Sequence, residues 1–104
     1  MRLNPHHPER FWSHLGRAQF VARRYAEAID AFRRISRPDQ VDHAFLAASS
    51  AMLGDELAAT AHVRNVLELD PKFSVEAHMQ TLHYLRDSDR QHHRDALLKA
   101  VLPV

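Results

Sequence analysis

The reading of the fold rests on Phe11-Trp12-Ser13-His14-Leu15-Gly16-Arg17-Ala18-Gln19-Phe20-Val21-Ala22 and, after Arg23-Arg24, on Tyr25-Ala26-Glu27-Ala28-Ile29-Asp30-Ala31-Phe32. In the first run Phe11, Trp12, Leu15, Ala18 and Ala22 recur at helical spacing. Tyr25, Ala28, Ile29, Phe32 and Ile35 do the same in the second. Pro8 suits the first turn of the first helix, with Glu9 facing the positive end of its dipole. Pro38 is expected to stop the second helix. The unit is therefore two amphipathic helices joined by a short turn.

Working outward, the plan repeats. Pro5, Pro38 and Pro71 recur at intervals of 33 residues, and Leu3-Asn4-Pro5 is echoed by Leu69-Asp70-Pro71. A fixed period of this length marks stacked helical repeats. In the second interval Asp39 caps a helix carrying Val41, Phe45, Leu46, Ser49 and Leu53. Gly54 then suits the left-handed residue past its end. Asp55 caps the next helix, whose expected inner face is Leu57, Ala59, Val63, Val66 and Leu67. Downstream, Ser74 caps a short helix with Val75, Met79 and Leu82. Ser88-Asp89-Arg90-Gln91 reads as a capping box opening a final helix with Leu97, Leu98 and Val101. Six helices are expected and no strand, since period-two alternation and Asn-Gly or Asp-Gly turns are missing.

These residues resemble a known family. The tetratricopeptide signature has Trp-x2-Leu-Gly-x2-Tyr, then Ala-x3-Phe, then Pro. The chain has Trp12-x2-Leu15-Gly16, Ala28-x3-Phe32 and Pro38. It departs at Gln19, where the signature has tyrosine, and Phe32 to Pro38 is shorter than the equivalent Val63 to Pro71. The second repeat keeps Leu46-Ala47, Ala59, Val63 and Pro71, with His43 in place of Trp12. The resemblance implies an all-α right-handed solenoid of antiparallel helix pairs in one domain. Residues 1–7 would be the tail of a missing upstream repeat, 8–37 repeat one, 38–71 repeat two, and 72–104 a variant closing pair. Small Gly16 would let the paired helices approach, with Trp12, Leu15 and Phe32 filling the space between them.

A narrower likeness covers most of the chain. Arg2-Leu3-Asn4-Pro5-His6-His7-Pro8 and the closing Leu97-Leu98-Lys99-Ala100-Val101-Leu102-Pro103 resemble the C-terminal tetratricopeptide region of bacterial class III adenylate/guanylate cyclases, with related tails in winged-helix regulators. Such tails usually end Leu-Arg-Lys-Ala-Gly-Leu-Pro. The likeness implies the regulatory part of a larger signalling protein, with cyclase chemistry in an upstream domain outside this chain.

By the same resemblance, the first helix of each pair lines a concave groove for a peptide or sister domain. The groove positions would be Arg10, Ser13, Arg17 and Phe20, then Ala44, Ala48, Ala51 and Met52, with His78 and Leu82 in the closing pair. The Lys/Asn array that grips a terminal carboxylate in chaperone-binding relatives has no counterpart. A rival reading is homodimerisation through an exposed N-terminal edge at Phe11 and Trp12. A second is a small nucleic-acid binder built on Arg23, Arg24, Arg33, Arg34 and Arg37, although Glu27, Asp30 and Asp39 interleave with those arginines.

Composition narrows the remaining classes. Over 104 residues, 14 Lys+Arg balance 13 Asp+Glu, giving +1, so bulk charge makes no case for nucleic acid or an anionic membrane. There is no cysteine, which excludes disulfides and thiolate chemistry and is compatible with the expected cytoplasmic location. Nine histidines are unusual, yet no two have the i, i+4 spacing that puts imidazoles on one helical face, and His-Glu-x-x-His does not occur. Zinc needs three or four converging ligands, so the histidines read as surface or half-buried groups and neither metal nor cofactor is expected. Carboxylates are scattered, with no Gly-rich phosphate loop and no Gly-x-Ser-x-Gly, so no enzyme is expected. The longest nearly apolar run, Ala44 to Leu53, is broken by Ser49 and Ser50 and is far short of the ~20 residues of a membrane span.

Overall fold

The structure, a computed structural model, describes residues 7–82 and 86–104, with side chains from Arg10 onward. Nearly all of the expected upstream tail (1–7) lies outside the described residues. Six helices follow in order: α1 (His7–Val21), α2 (Tyr25–Phe32), α3 (Gln40–Met52), α4 (Glu56–Leu69), α5 (Val75–Gln80) and α6 (Asp87–Lys99). No strand occurs among the described residues.

Local chemistry sets most boundaries. Asp39 and Asp42 form a reciprocal capping box at the start of α3, each carboxylate accepting from the other's backbone N–H. Asp55 accepts from the Ala58 N–H to open α4, and Ser74 from the Ala77 N–H to open α5. The box expected at Ser88 does not form. Helix α6 begins at Asp87, with Arg86 at the cap position and no side-chain cap, so Ser88 lies inside the helix. Helix α2 ends at Phe32, well before Pro38. Tighter bonds from Arg34 N–H to Ala31 O and from Ile35 N–H to Phe32 O close it, and Ile35 folds into the core from the connecting loop.

Three helices end in the same device. The residue past the C-cap is left-handed at Arg23 (φ 64°), Gly54 (φ 81°) and Val101 (φ 68°). The next N–H then reaches back five residues: Arg24 to Gln19 O (2.8 Å), Asp55 to Ser50 O (2.9 Å) and Leu102 to Leu97 O (3.3 Å). These are Schellman closures. Only the one at Gly54 carries the residue that suits this geometry without strain.

Helices α1 and α2 pack as one hairpin, α3 and α4 as a second, and α2 leans on α3 to join them. Gly16 is the contact point of the first hairpin, where the Phe32 ring fills the space a Cβ would take. Phe32 stacks on Phe45 at 5.5 Å, and Phe20 meets Phe45 edge-on at 5.4 Å, which ties the two hairpins through one aromatic core. Leu57, expected on the inner face of α4, is 87% exposed. That face is set by Ala59, Val63 and Val66, two turns of which leave Leu57 pointing away.

The last two helices do not extend the row beyond α4. Helix α5 packs mainly on α6, and α6 lies against α3. The chain end then pins α5 in place. Leu102 is buried, and the Pro103 and Val104 carbonyls accept from the Val75 and Glu76 N–H groups at the open start of α5 (2.8 and 3.3 Å). A radius of gyration of 13.2 Å is that of a compact domain of this length, in keeping with α6 folding back.

Candidate functional site

The face expected to line a groove is formed by α1 and α3, and the structure covers it with α6. Ala44 and Ala48 are fully buried, as is Phe20, and Ala51 and His78 nearly so. Phe20, Ala44 and Ala48 share one core with Ala96 and Leu97 of α6, while Ala51 packs with Ala59 and Ala100, so these positions do not present an open surface. Small alanine side chains on α3 let the α6 backbone approach closely, and Ala96 and Leu97 of α6 are buried in the same core. The remaining expected positions divide. Arg10 is exposed, while Ser13, Arg17, Met52 and Leu82 are half-buried. Met52 and Leu82 pack against the core. Ser13 donates to the Asp42 carboxylate at 3.2 Å.

Histidine and aromatic side chains make the seam under α6. His93 has no exposed surface. Its ring lies 4.6 Å from Phe45, 5.1 Å from Phe20 and 5.3 Å from His78. His92 leans on Phe20 at 4.8 Å, and its Nε2 lies 2.6 Å from the Tyr25 hydroxyl. His78 also contacts Phe73 at 5.4 Å. The Arg17 guanidinium sits over the Phe45 ring, 5.4 Å from its centre, so a permanent cation adjoins the imidazoles. At the rim, Arg23 pairs with Asp89 at 2.8 Å and Arg94 with Glu76 at 2.7 Å. Both pairs are partly exposed, and each contributes about 0–1 kcal/mol.

Electrostatically the seam favours neutral rings. Desolvation holds His93 down to about 3, reinforced by His78, His92 and Arg17. Desolvation also lowers His78, with Arg17 adding to the effect, and lowers His92, where Arg23 adds and Asp89 and Asp95 oppose. Three buried nitrogens, Arg17 Nε, His78 Nε2 and His92 Nδ1, have no hydrogen-bond partner among the described residues.

Two further polar features lie outside this seam. His43 and His62 join α3 to α4 with Nδ1 atoms 3.3 Å apart, and burial lowers both. Burial raises the Asp42 carboxyl, which the Asp39 N–H partly offsets. No group of three or more metal-binding side chains converges among the described residues. Of the arginines weighed as a nucleic-acid surface, Arg23 is held by Asp89, and Arg34 lies over the Trp12 ring with Asp30 at 3.8 Å.

No local pattern signals that α6 closes this face. Its apolar residues are few, and one of its fully buried side chains, His93, is of a type that counts as polar in a hydrophobic pattern. The adjacent pair His92-His93 between Arg90 and Arg94 was the available signal. No helix among the described residues is long and apolar enough to cross a membrane. Compared with known proteins, the chain matches no family model, no curated protein and no solved structure.

Proposed function

We propose that this chain is a protein-interaction module of tetratricopeptide-like build, and that its α1–α3 face receives an amphipathic helix. The supporting observation is α6 itself. A helix with small and apolar residues at Ala96 and Leu97 is already seated against Ala44, Ala48, Phe45 and Phe20. Helix-in-groove recognition uses this combination of apolar anchors and a shallow small-residue floor. The resemblance to the regulatory tails of cyclases fits a role inside a larger cytoplasmic signalling protein, with no chemistry of its own.

The test uses the full chain with Ala96→Asp, which charges the buried side of α6 and frees the face. A labelled peptide spanning 86–104 is titrated in at pH 7.5 and followed by fluorescence anisotropy, with circular dichroism checking that helicity is kept. Saturable binding that disappears when Ala48→Glu is added supports the reading. A folded Ala96→Asp chain that leaves the peptide free at high micromolar concentration removes it.

A second reading, homodimerisation through the N-terminal edge, is favoured by one observation. Phe11 is 57% exposed and stands edge-on to Trp12 at 5.0 Å. Sedimentation across concentrations decides it, with Phe11→Ser dispersing a dimer if this edge carries one.

A further inference from the structure

We propose that α6 is an acid-operated lid, in which protonation of His78, His92 and His93 undocks the helix and bares the α1–α3 face. What the bared face then does rests on the docking function proposed above. The release itself rests on the geometry of the seam.

Three imidazoles meet where α6 crosses the rest of the molecule. His93 is sealed between Phe20 and Phe45, His92 lies between Phe20 and Tyr25, and His78 closes the far side from α5. The charged and titratable groups around them come from every neighbouring element. Helix α1 supplies Arg17, and the turn after it supplies Arg23. Helix α2 supplies the Tyr25 hydroxyl. Helix α3 presents the Phe45 ring to His93 and, more distantly, to His78. Helix α5 supplies Glu76, which Arg94 holds. On α6 itself Asp89 is held by Arg23 and Asp95 accepts from Gln91, while Arg90 donates to the Met79 carbonyl.

The charges named act in one direction on His78 and His93 and in both directions on His92. Asp89 and Asp95 favour a proton on His92. Arg17 disfavours a proton on both His78 and His93, and His78 and His92 disfavour one on His93 as well. Protonation therefore sets cation against cation in a site that excludes water. Undocking removes that repulsion for the histidines carried on α6, and it also returns the orphaned Arg17 Nε, His78 Nε2 and His92 Nδ1 to solvent.

A ring held neutral to about 3 while docked, and titrating near 6.5 in water, shifts the balance toward release about thirtyfold at pH 5. His92 and His78 add to this shift. The weak rim pairs Arg23–Asp89 and Arg94–Glu76 oppose it only modestly.

Native-state hydrogen exchange on the whole chain tests the lid. Protection of the α6 amides from Gln91 to Lys99 is compared with that of the α2 amides Ala28 to Phe32, after correction for intrinsic rates. Helix α4 is not used as the reference, because His43 and His62 titrate beside it. Between pH 7.5 and 5.0 the α6-to-α2 protection ratio should fall at least about tenfold. His93→Phe, which preserves the ring in its aromatic cage, should abolish most of that fall. A ratio that stays constant, or that falls equally in His93→Phe, overturns the proposal. Should His93→Phe fail to fold, NMR titration of the imidazoles in the unaltered chain replaces it. Proton uptake by His78, His92 and His93 in step with α6 exchange supports the lid, and α6 opening without that uptake overturns it. The peptide test at pH 7.5 on Ala96→Asp involves no protonation, so failure of docking and failure of gating are told apart.

Discussion

The Phe32 ring lies 2.5 Å from where a Cβ on Gly16 would stand, so the α1–α2 hairpin closes only because position 16 has no side chain. The ring cannot retreat, since its other face stacks on Phe45. Gly16→Ala therefore sets a helix-propensity gain of about 1 kcal/mol against overpacking of about 1–3 kcal/mol. The expected net result is a destabilised chain with a lower urea midpoint. Adding Phe32→Leu should make the Gly16→Ala step less costly than it is alone. A stabilising Gly16→Ala would show that the helices can separate freely.

Val101 offers the opposite experiment. It is β-branched, left-handed at φ 68° and 80% exposed, so little packing is lost on shortening it. Val101→Gly should raise stability by about 1 kcal/mol, read as a higher melting temperature. Gly54→Ala should lower it by a similar amount, although no atom lies within 4 Å of the added methyl. Backbone conformation alone predicts that pair of signs.

Burial of the histidines predicts loss of stability in acid. His93 is neutral in the folded chain down to about 3, whereas the unfolded chain takes up that proton near pH 6.5. Its contribution is complete above pH 6.5 and is lost as pH falls toward 3, by about 1.4 kcal/mol per pH unit. His43, His62, His78 and His92 shift in the same direction. Asp42, raised by burial, works against them as it protonates ahead of its unfolded counterpart. Denaturant midpoints between pH 8 and 4.5 should decline steadily below pH 6.5, and less steeply in His93→Phe.

Leu102 couples the chain end to α5. Leu102→Ala should cost about 2–4 kcal/mol as a buried large-to-small change. It should also speed exchange at Val75 and Glu76, whose N–H groups are held by the Pro103 and Val104 carbonyls. Unchanged exchange at those two amides would mean that the cap survives without its hydrophobic anchor.

Much of the fold was written locally. The helical class and all six helices followed from periodicity, and Asp39, Asp55, Ser74 and Gly54 marked boundaries because caps and left-handed residues act within a few positions of themselves. The closeness of Gly16 and Phe32 was also legible, because a missing side chain opposite an aromatic has one packing consequence. Ser88 misled for a related reason. A cap motif states what a residue is able to bond, and the helix began earlier with no side-chain cap.

What only the tertiary structure decided is the fate of the α1–α3 face. The family resemblance puts Phe20, Ala44, Ala48 and His78 along one groove. Spacing does not say whether that groove meets water or another helix, since an alanine stripe serves either purpose. The choice was made by α6, which returns across the stripe to bury His93 among Phe20, Phe45 and His78. Contact between side chains on separate helices depends on the sum of many weak burial terms over the whole chain, and no local pattern records that sum.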